Sequence, residues 1–267
     1  MKYLMVLVAL ASCVMDEVDD ELGETSADVT SSNKLASNKL ATNKLATAKL
    51  AAAKLAGAGL AGSSLIETAA GRDVLTYVVR CALAANQTVV FRSSNGASYS
   101  FAGEIGLASA WTTRALTTSE QRWVSACILA RTNYYGVQVN LSLRGDHPAL
   151  GATFGEVLQY GAAEAAFYGN IFIPEQPEYA CIGVMKEIGI GSPSYPLRQC
   201  AVQNGKSGIT MCGFTYTGGC GVIDSLLAPA CDSLLAPYTN CHPPRKSGTA
   251  ATTYHEVITV ELPGGLL

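Results

Sequence analysis

Eight of the nine cysteines in this 267-residue chain lie beyond residue 66, at Cys81, Cys127, Cys181, Cys200, Cys212, Cys220, Cys231 and Cys241. Six of them crowd between 181 and 241, and no other feature limits the possible folds so much. The chain opens with Met1, Lys2 and then an uncharged run from Tyr3 to Ser12. A basic residue followed by an apolar stretch too short to span a bilayer is the pattern of an export leader. In an exported chain an even set of cysteines reads as disulfides, here up to four. Eight cysteines allow 105 pairings, among which sequence cannot choose. The competing use, a zinc site, fails on spacing. No CxxC occurs, and the histidine nearest a cysteine, His242 after Cys241, is followed by two prolines. Neither a metal nor a cofactor is expected.

The ninth cysteine, Cys13, stands alone at the end of the apolar run. Leu10-Ala11-Ser12-Cys13 resembles the lipobox of bacterial lipoproteins. That resemblance implies an acylated Cys13 thiol, cleavage just before it and a membrane held through lipid, each buried CH₂ contributing about 0.8 kcal/mol. Lipoproteins kept at the inner membrane often carry Asp next; Val14 stands here, which implies an outer-membrane anchor facing the periplasm or the cell surface.

Behind the cysteine, seven acidic residues and no basic one lie between Asp16 and Asp28. Such a segment repels itself and extends, as a tether does. From Glu67 onward the chain carries twelve basic and fourteen acidic side chains with no basic cluster, so the footprint of a nucleic-acid binder is missing. With 49% apolar and 15% charged residues, the chain is long enough to bury a real core.

Leucine recurs at 35, 40, 45, 50, 55, 60 and 65 in pentads such as NKLAS, NKLAT and AKLAA. A step of five residues turns an α-helix by about 140°, which scatters these leucines around the cylinder. Strict five-residue leucine resembles the pentapeptide-repeat proteins, whose square β-coil points each central residue inward. The Ala, Lys and Leu mixture is also strongly helix-forming. A β-coil, a helix and an unstructured slippage repeat all stay open.

The body begins near Ile66. Val74, Leu75, Val78, Val79 and Ala82 recur at helical spacing and place Cys81 beside their stripe. In "TVVFRSSNGASYSFAG", Asn95-Gly96 between two strand-like runs predicts a hairpin. Thr117-Thr118-Ser119-Glu120 is a capping box, predicting a helix with Trp123, Ala126, Cys127, Ala130 and Tyr134 inward, closed by Gly136. Val137, Val139, Leu141 and Leu143 then alternate with Gln138, Asn140, Ser142 and Arg144, a strand with one wet face. "FGEVLQYGAAEAAFYGN" reads as a further helix, the Cys-rich part as mostly loop, and "YHEVITVEL" as a last strand. The expected class is α+β: an antiparallel sheet with packed helices and a disulfide-stapled, loop-rich C-terminal part, preceded by the pentad segment. The expected organisation is a leader over 1–12, an acidic tether over 13–33, the pentad repeat over 34–65 and the body over 66–267.

Candidate sites are few. Glu156, Tyr160, Glu164 and Tyr168 fall four apart and would share a helix face; the two carboxylates would stand about 12 Å apart, too far for paired-acid glycoside hydrolysis. That face is at most a sugar-contacting surface. The histidines, His147, His242 and His255, have no GxSxG elbow to serve, and His255-Glu256 lacks the second histidine of HExxH. Gly205-Lys206-Ser207 matches only the tail of a phosphate loop, and "DSLLAPAC" followed by "DSLLAPYT" is a duplicated loop. The expected role is therefore non-enzymatic binding or display at the envelope, towards a glycan or another envelope protein. A hydrolase whose site assembles from distant residues is the alternative.

Overall fold

A computed structural model describes residues 30–33, 35–36, 64–136, 138–173, 175–183, 198–205, 208–221, 229–244 and 252–264. In chain order these form strands β1 (Thr30–Asn33) and β2 (Leu35–Ala36), a helical turn Ser64–Glu67, helix α1 (Ala69–Ala82) and strands β3 (Thr88–Arg92) and β4 (Ser98–Ala102). Helix α2 (Thr118–Ala130), β5 (Thr132–Asn133), β6 (Val139–Arg144), helix α3 (Phe154–Gln159), β7 (Tyr160–Gly169), β8 (Glu178–Ile182), β9 (Thr215–Gly219) and β10 (Ile258–Pro263) follow. The class is α+β, as the alternation of patterns predicts. Cys13 and residues 37–63 of the repeat lie outside the described residues.

The local signals act where they stand. Thr68 caps α1 by accepting from the Gly71 N–H, and Val74, Leu75, Val78, Val79 and Cys81 are fully buried along its inner stripe. Gly96 turns the β3–β4 hairpin at φ +84°, and Asn95 accepts from Ala97 N and Ser93 Oγ. Thr117 and Glu120 complete the reciprocal capping box of α2.

The main sheet runs β1-β6-β10-β7-β8-β9. It is antiparallel apart from the parallel β8–β9 pair. Its edge strand β1 comes from the end of the acidic segment, with Thr30 opposite Ser142 and Asn33 opposite Val139. One face carries Leu141, Leu143, Ala165, Phe167, Ile258 and Val260 against α2, on which α1 packs in turn. The other carries Ala166, Tyr168 and Cys181 against the cystine-bearing loops. Disulfide Cys81–Cys127 ties α1 to α2. Cys181–Cys220, Cys200–Cys212 and Cys231–Cys241 staple the C-terminal part.

Three elements depart from expectation. Helix α2 stops at Ala130, not Gly136, because Thr132–Asn133 leaves to pair with β2; Tyr134, expected inward, is 40% exposed. Strand β6 has no wet face beyond Asn140, since Ser142 and Arg144 lie buried beneath α3. The helix expected over the 154–170 run stops at Gln159, and the alanines after it form β7. Gly161 weakens the helix, and alanine's small size fits a central strand packed on both faces, so tertiary burial overrides helix propensity.

Candidate functional site

With β7 a strand, the expected face of Glu156, Tyr160, Glu164 and Tyr168 does not exist, and all four are buried. Glu156 points inward from α3, accepts from Ser142 Oγ at 2.5 Å and lies 3.7 Å from Arg144. Arg144 in turn stands 3.4 Å from Glu261. Burial lifts the Glu261 carboxyl above its ordinary range against the pull of Arg144, and Glu156 pushes the same way as burial. Glu164 sits at a bulge of β7, between Ala165 opposite Val260 and Ala163 opposite Glu261. Its carboxylate lies 2.7 Å from Arg198 Nε, and that guanidinium rests over the Phe167 ring. Both carboxylates thus belong to buried ion pairs, Glu156 sharing Arg144 with Glu261, and neither lines the described cleft.

Tyr168 is drawn to the opposite face. Its hydroxyl donates to the His242 carbonyl at 2.7 Å and lies 2.9 Å from Thr217 Oγ1. Burial raises its phenol far above the usual value. The ring stacks in a cluster with Tyr179 and Tyr254, at centroid distances of 5.4 and 5.6 Å.

This hydroxyl bridges two walls of a cleft of about 410 Å³, lined by Gln203, Tyr216, Thr217, Pro229, His242 and Pro243 among others. One wall is β9. Cys220, just after it, is bonded to Cys181 on β8. The other wall is two loop segments joined by Cys231–Cys241, which sets Ala230 beside His242; the His242 N–H donates to Ala230 O at 2.7 Å. The Ala230 N–H reaches back to Gly219 O, and Cys231 N–H to Cys220 O. The two bridges touch, Cys181 Sγ lying 3.7 Å from Cys231 Sγ. Cys181, Cys231 and Cys241 are near enough to ligate one ion, but as bridged sulfurs they present no thiolate to it.

Comparison with known proteins finds no match, whether to a family model, a curated protein or a solved structure. The geometry alone must carry the reading.

At the rim, His242 Nε2 lies 3.2 Å from Asp232 Oδ1, and Nδ1 lies 3.4 Å from Thr253 Oγ1. A carboxylate, an imidazole and a hydroxyl in line can orient a ligand or pass a proton. Of the other histidines, His255 is exposed, 2.7 Å from Asn240 Oδ1, and His147 caps a short turn by accepting from Ala149 N–H. Lys206 and Ser207 of the phosphate-loop-like run lie outside the described residues.

In the sequence His242 stands out only as a histidine before two prolines, and Tyr216 carries no motif of its own. One signal was present. A rigid Pro243-Pro244 directly after Cys241-His242 fixes the chain where a bridge already fixes it. The partners of His242 come from segments that only the disulfide pairing brings together.

Proposed function

We propose that this chain is an exported bacterial lipoprotein, anchored through Cys13 at the cell envelope. Its disulfide-stapled body binds a neutral glycan in the cleft between β9 and the Cys231–Cys241 loops. What carries the reading is the cleft's construction. Gly218, Ala230 and His242 of its lining each stand within two residues of a bridged cysteine. Walls fixed in this way lose little freedom when a ligand enters, which favours affinity. The chemistry of the lining suits a sugar: a tyrosine ring and prolines to lie against its apolar faces, the Gln203 amide and the Thr217 and His242 groups to meet hydroxyls.

Titrating soluble protein, with Cys13 replaced by serine, with neutral envelope polysaccharide fragments in a calorimeter tests this. Saturable binding should weaken about tenfold in Tyr216→Ala, a loss of about 1.4 kcal/mol. Equal binding by the variant, or none by the parent, rejects the cleft. The anchor is tested separately. Membrane-extracted protein should carry acyl chains on residue 13, and Cys13→Ser should leave the precursor uncut or release the product.

A second reading rests on the Asp232–His242–Thr253 alignment, in which His242 would act as general base of a hydrolase. Hydrolysis of model esters or glycosides, abolished in His242→Gln but intact in His255→Gln, would establish it. No turnover by the parent protein removes it.

A further inference from the structure

Helix α3 is inside out. Its carboxylate, Glu156, is 3% exposed, whereas Phe154, Val157 and Leu158 are 78%, 49% and 58% exposed. The helical turn explains the arrangement: with Glu156 pointing at Ser142 and Arg144, positions 154 and 158 stand about 160° from it on the outer side. An amphipathic surface helix normally does the reverse. From Pro148 to Ala163 Glu156 is the sole charged residue, so the outer surface of this segment offers no charge to solvent.

A second apolar pair lies on the same side of the molecule. Thr259 pairs directly with Arg144, so their side chains share a sheet face. Arg144 meets α3, and Thr259 Oγ1 accepts from Tyr238 N–H at the end of the 232–238 loop. That loop exposes Leu234 at 59% and Leu235 at 73%. Five of the nine large apolar side chains exposed among the described residues therefore stand on segments attached to one sheet face, the face opposite α2.

We propose that this face rests on a lipid bilayer, with Phe154, Val157, Leu158, Leu234 and Leu235 entering the interfacial region. The entry of the chain chooses this occupant over a second copy. Thr30 pairs with Ser142, whose hydroxyl bonds Glu156, so the segment arriving from Cys13 joins the fold beside α3. Sixteen residues lie between Cys13 and Thr30, and even fully extended the span from one to the other reaches no more than about 60 Å. The inference rests on the lipoprotein reading for its geometry. Acylation at Cys13 holds the body within that reach, and the patch decides which side faces the membrane. The five side chains are apolar, and the charge nearest them in the 232–238 loop, the exposed Asp232, is acidic, so attraction needs no anionic lipid.

The test uses the mature chain, residues 13–267, with Cys13→Ser, so that neither leader nor acyl chain contributes. Cosedimentation with phosphatidylcholine vesicles should show partition that falls at least tenfold in Phe154→Ser/Leu158→Ser. It should also fall severalfold in Leu234→Ser/Leu235→Ser. Replacing part of the lipid with phosphatidylglycerol, or raising the salt to half-molar, should change binding less than threefold. These side chains already face water, so the variants should melt with the parent, which separates lost binding from misfolding. Three results overturn the proposal: no partition by the parent, equal partition by the variants, or binding confined to anionic vesicles and abolished by salt. So does a dimer that Phe154→Ser/Leu158→Ser dissolves while vesicles are ignored. Failure of the anchor is read elsewhere, in the mass of the native N-terminus, so the two readings fail independently.

Discussion

Glu164 and Arg198 are held 2.7 Å apart with almost no access to water, and burial pulls the guanidinium down from its ordinary value while Glu164 supports its charge. Removing the Glu164 carboxylate leaves the Arg198 guanidinium charged in the interior without its ion-pair partner. Glu164→Gln should therefore cost about 3–5 kcal/mol in denaturant unfolding, and Glu164→Gln/Arg198→Met should recover most of it. Equal losses in the single and double variants would show that the pair does not act as a pair. His147 gives a pH dependence of the same sign as a carboxylate held below its ordinary range. Burial lowers its imidazole from the ordinary 6.5, and its Nδ1 must stay unprotonated to accept from Ala149 N–H. Below 6.5 the unfolded chain binds the proton more readily, so the contribution is whole above that value and is lost as pH falls through the lower folded value. Unfolding midpoints at pH 7.5 and 5.5 should show this loss, and His147→Asn, which keeps a capping oxygen, should reduce it.

Among the elements, those written by local chemistry were legible. The α1 stripe, the Asn95-Gly96 hairpin and the Thr117–Glu120 box each need only neighbours within a few residues, and each forms as its sequence dictates. The box makes a further prediction. Its Glu120 carboxyl is held down to about 2, first by the Arg114 guanidinium and then by Thr117. Thr117→Ala should cost about 1 kcal/mol. Helix stability should stay whole above pH 4.5 and decline as pH drops towards 2, a decline that Glu120→Gln removes; circular dichroism during acid titration reads both. Strand β7 and the way helix α3 turns its carboxylate inward were not legible, because their burial is decided at long range. Alanine carries no strand signal of its own, and nothing near Glu156 announces Arg144 or Glu261 across the sheet. Hydropathy alone would turn Phe154 inward. The cleft was hidden for a related reason: Tyr216, Thr217 and His242 meet only after one of 105 pairings is chosen.

At the scale of the whole molecule, both ends of the pentad repeat adjoin elements that belong to the body. Thr30–Asn33 forms the edge of the main sheet beside β6, Leu35–Ala36 at the start of the repeat pairs with β5, and the helical turn Ser64–Glu67 takes in its last leucine. Two deletions that look alike should therefore differ. Exchanging residues 39–61 for a Gly-Ser segment of equal length keeps β1, β2 and every disulfide candidate after residue 66. The resulting protein should oxidise fully and melt within a few degrees of the parent. A chain beginning at Ser64 has the same cysteines but uncovers β6, whose backbone donors and acceptors then face solvent as a new sheet edge. It should melt at least about 5 °C lower, in line with a loss of one to two kcal/mol for a body of this size, and should aggregate at concentrations where the parent stays monodisperse. Calorimetry and light scattering on the two proteins decide the matter. Matching behaviour by both would mean that β1 adds nothing to the sheet. Failure of the Gly-Ser exchange alone would mean that the repeat packs on the body.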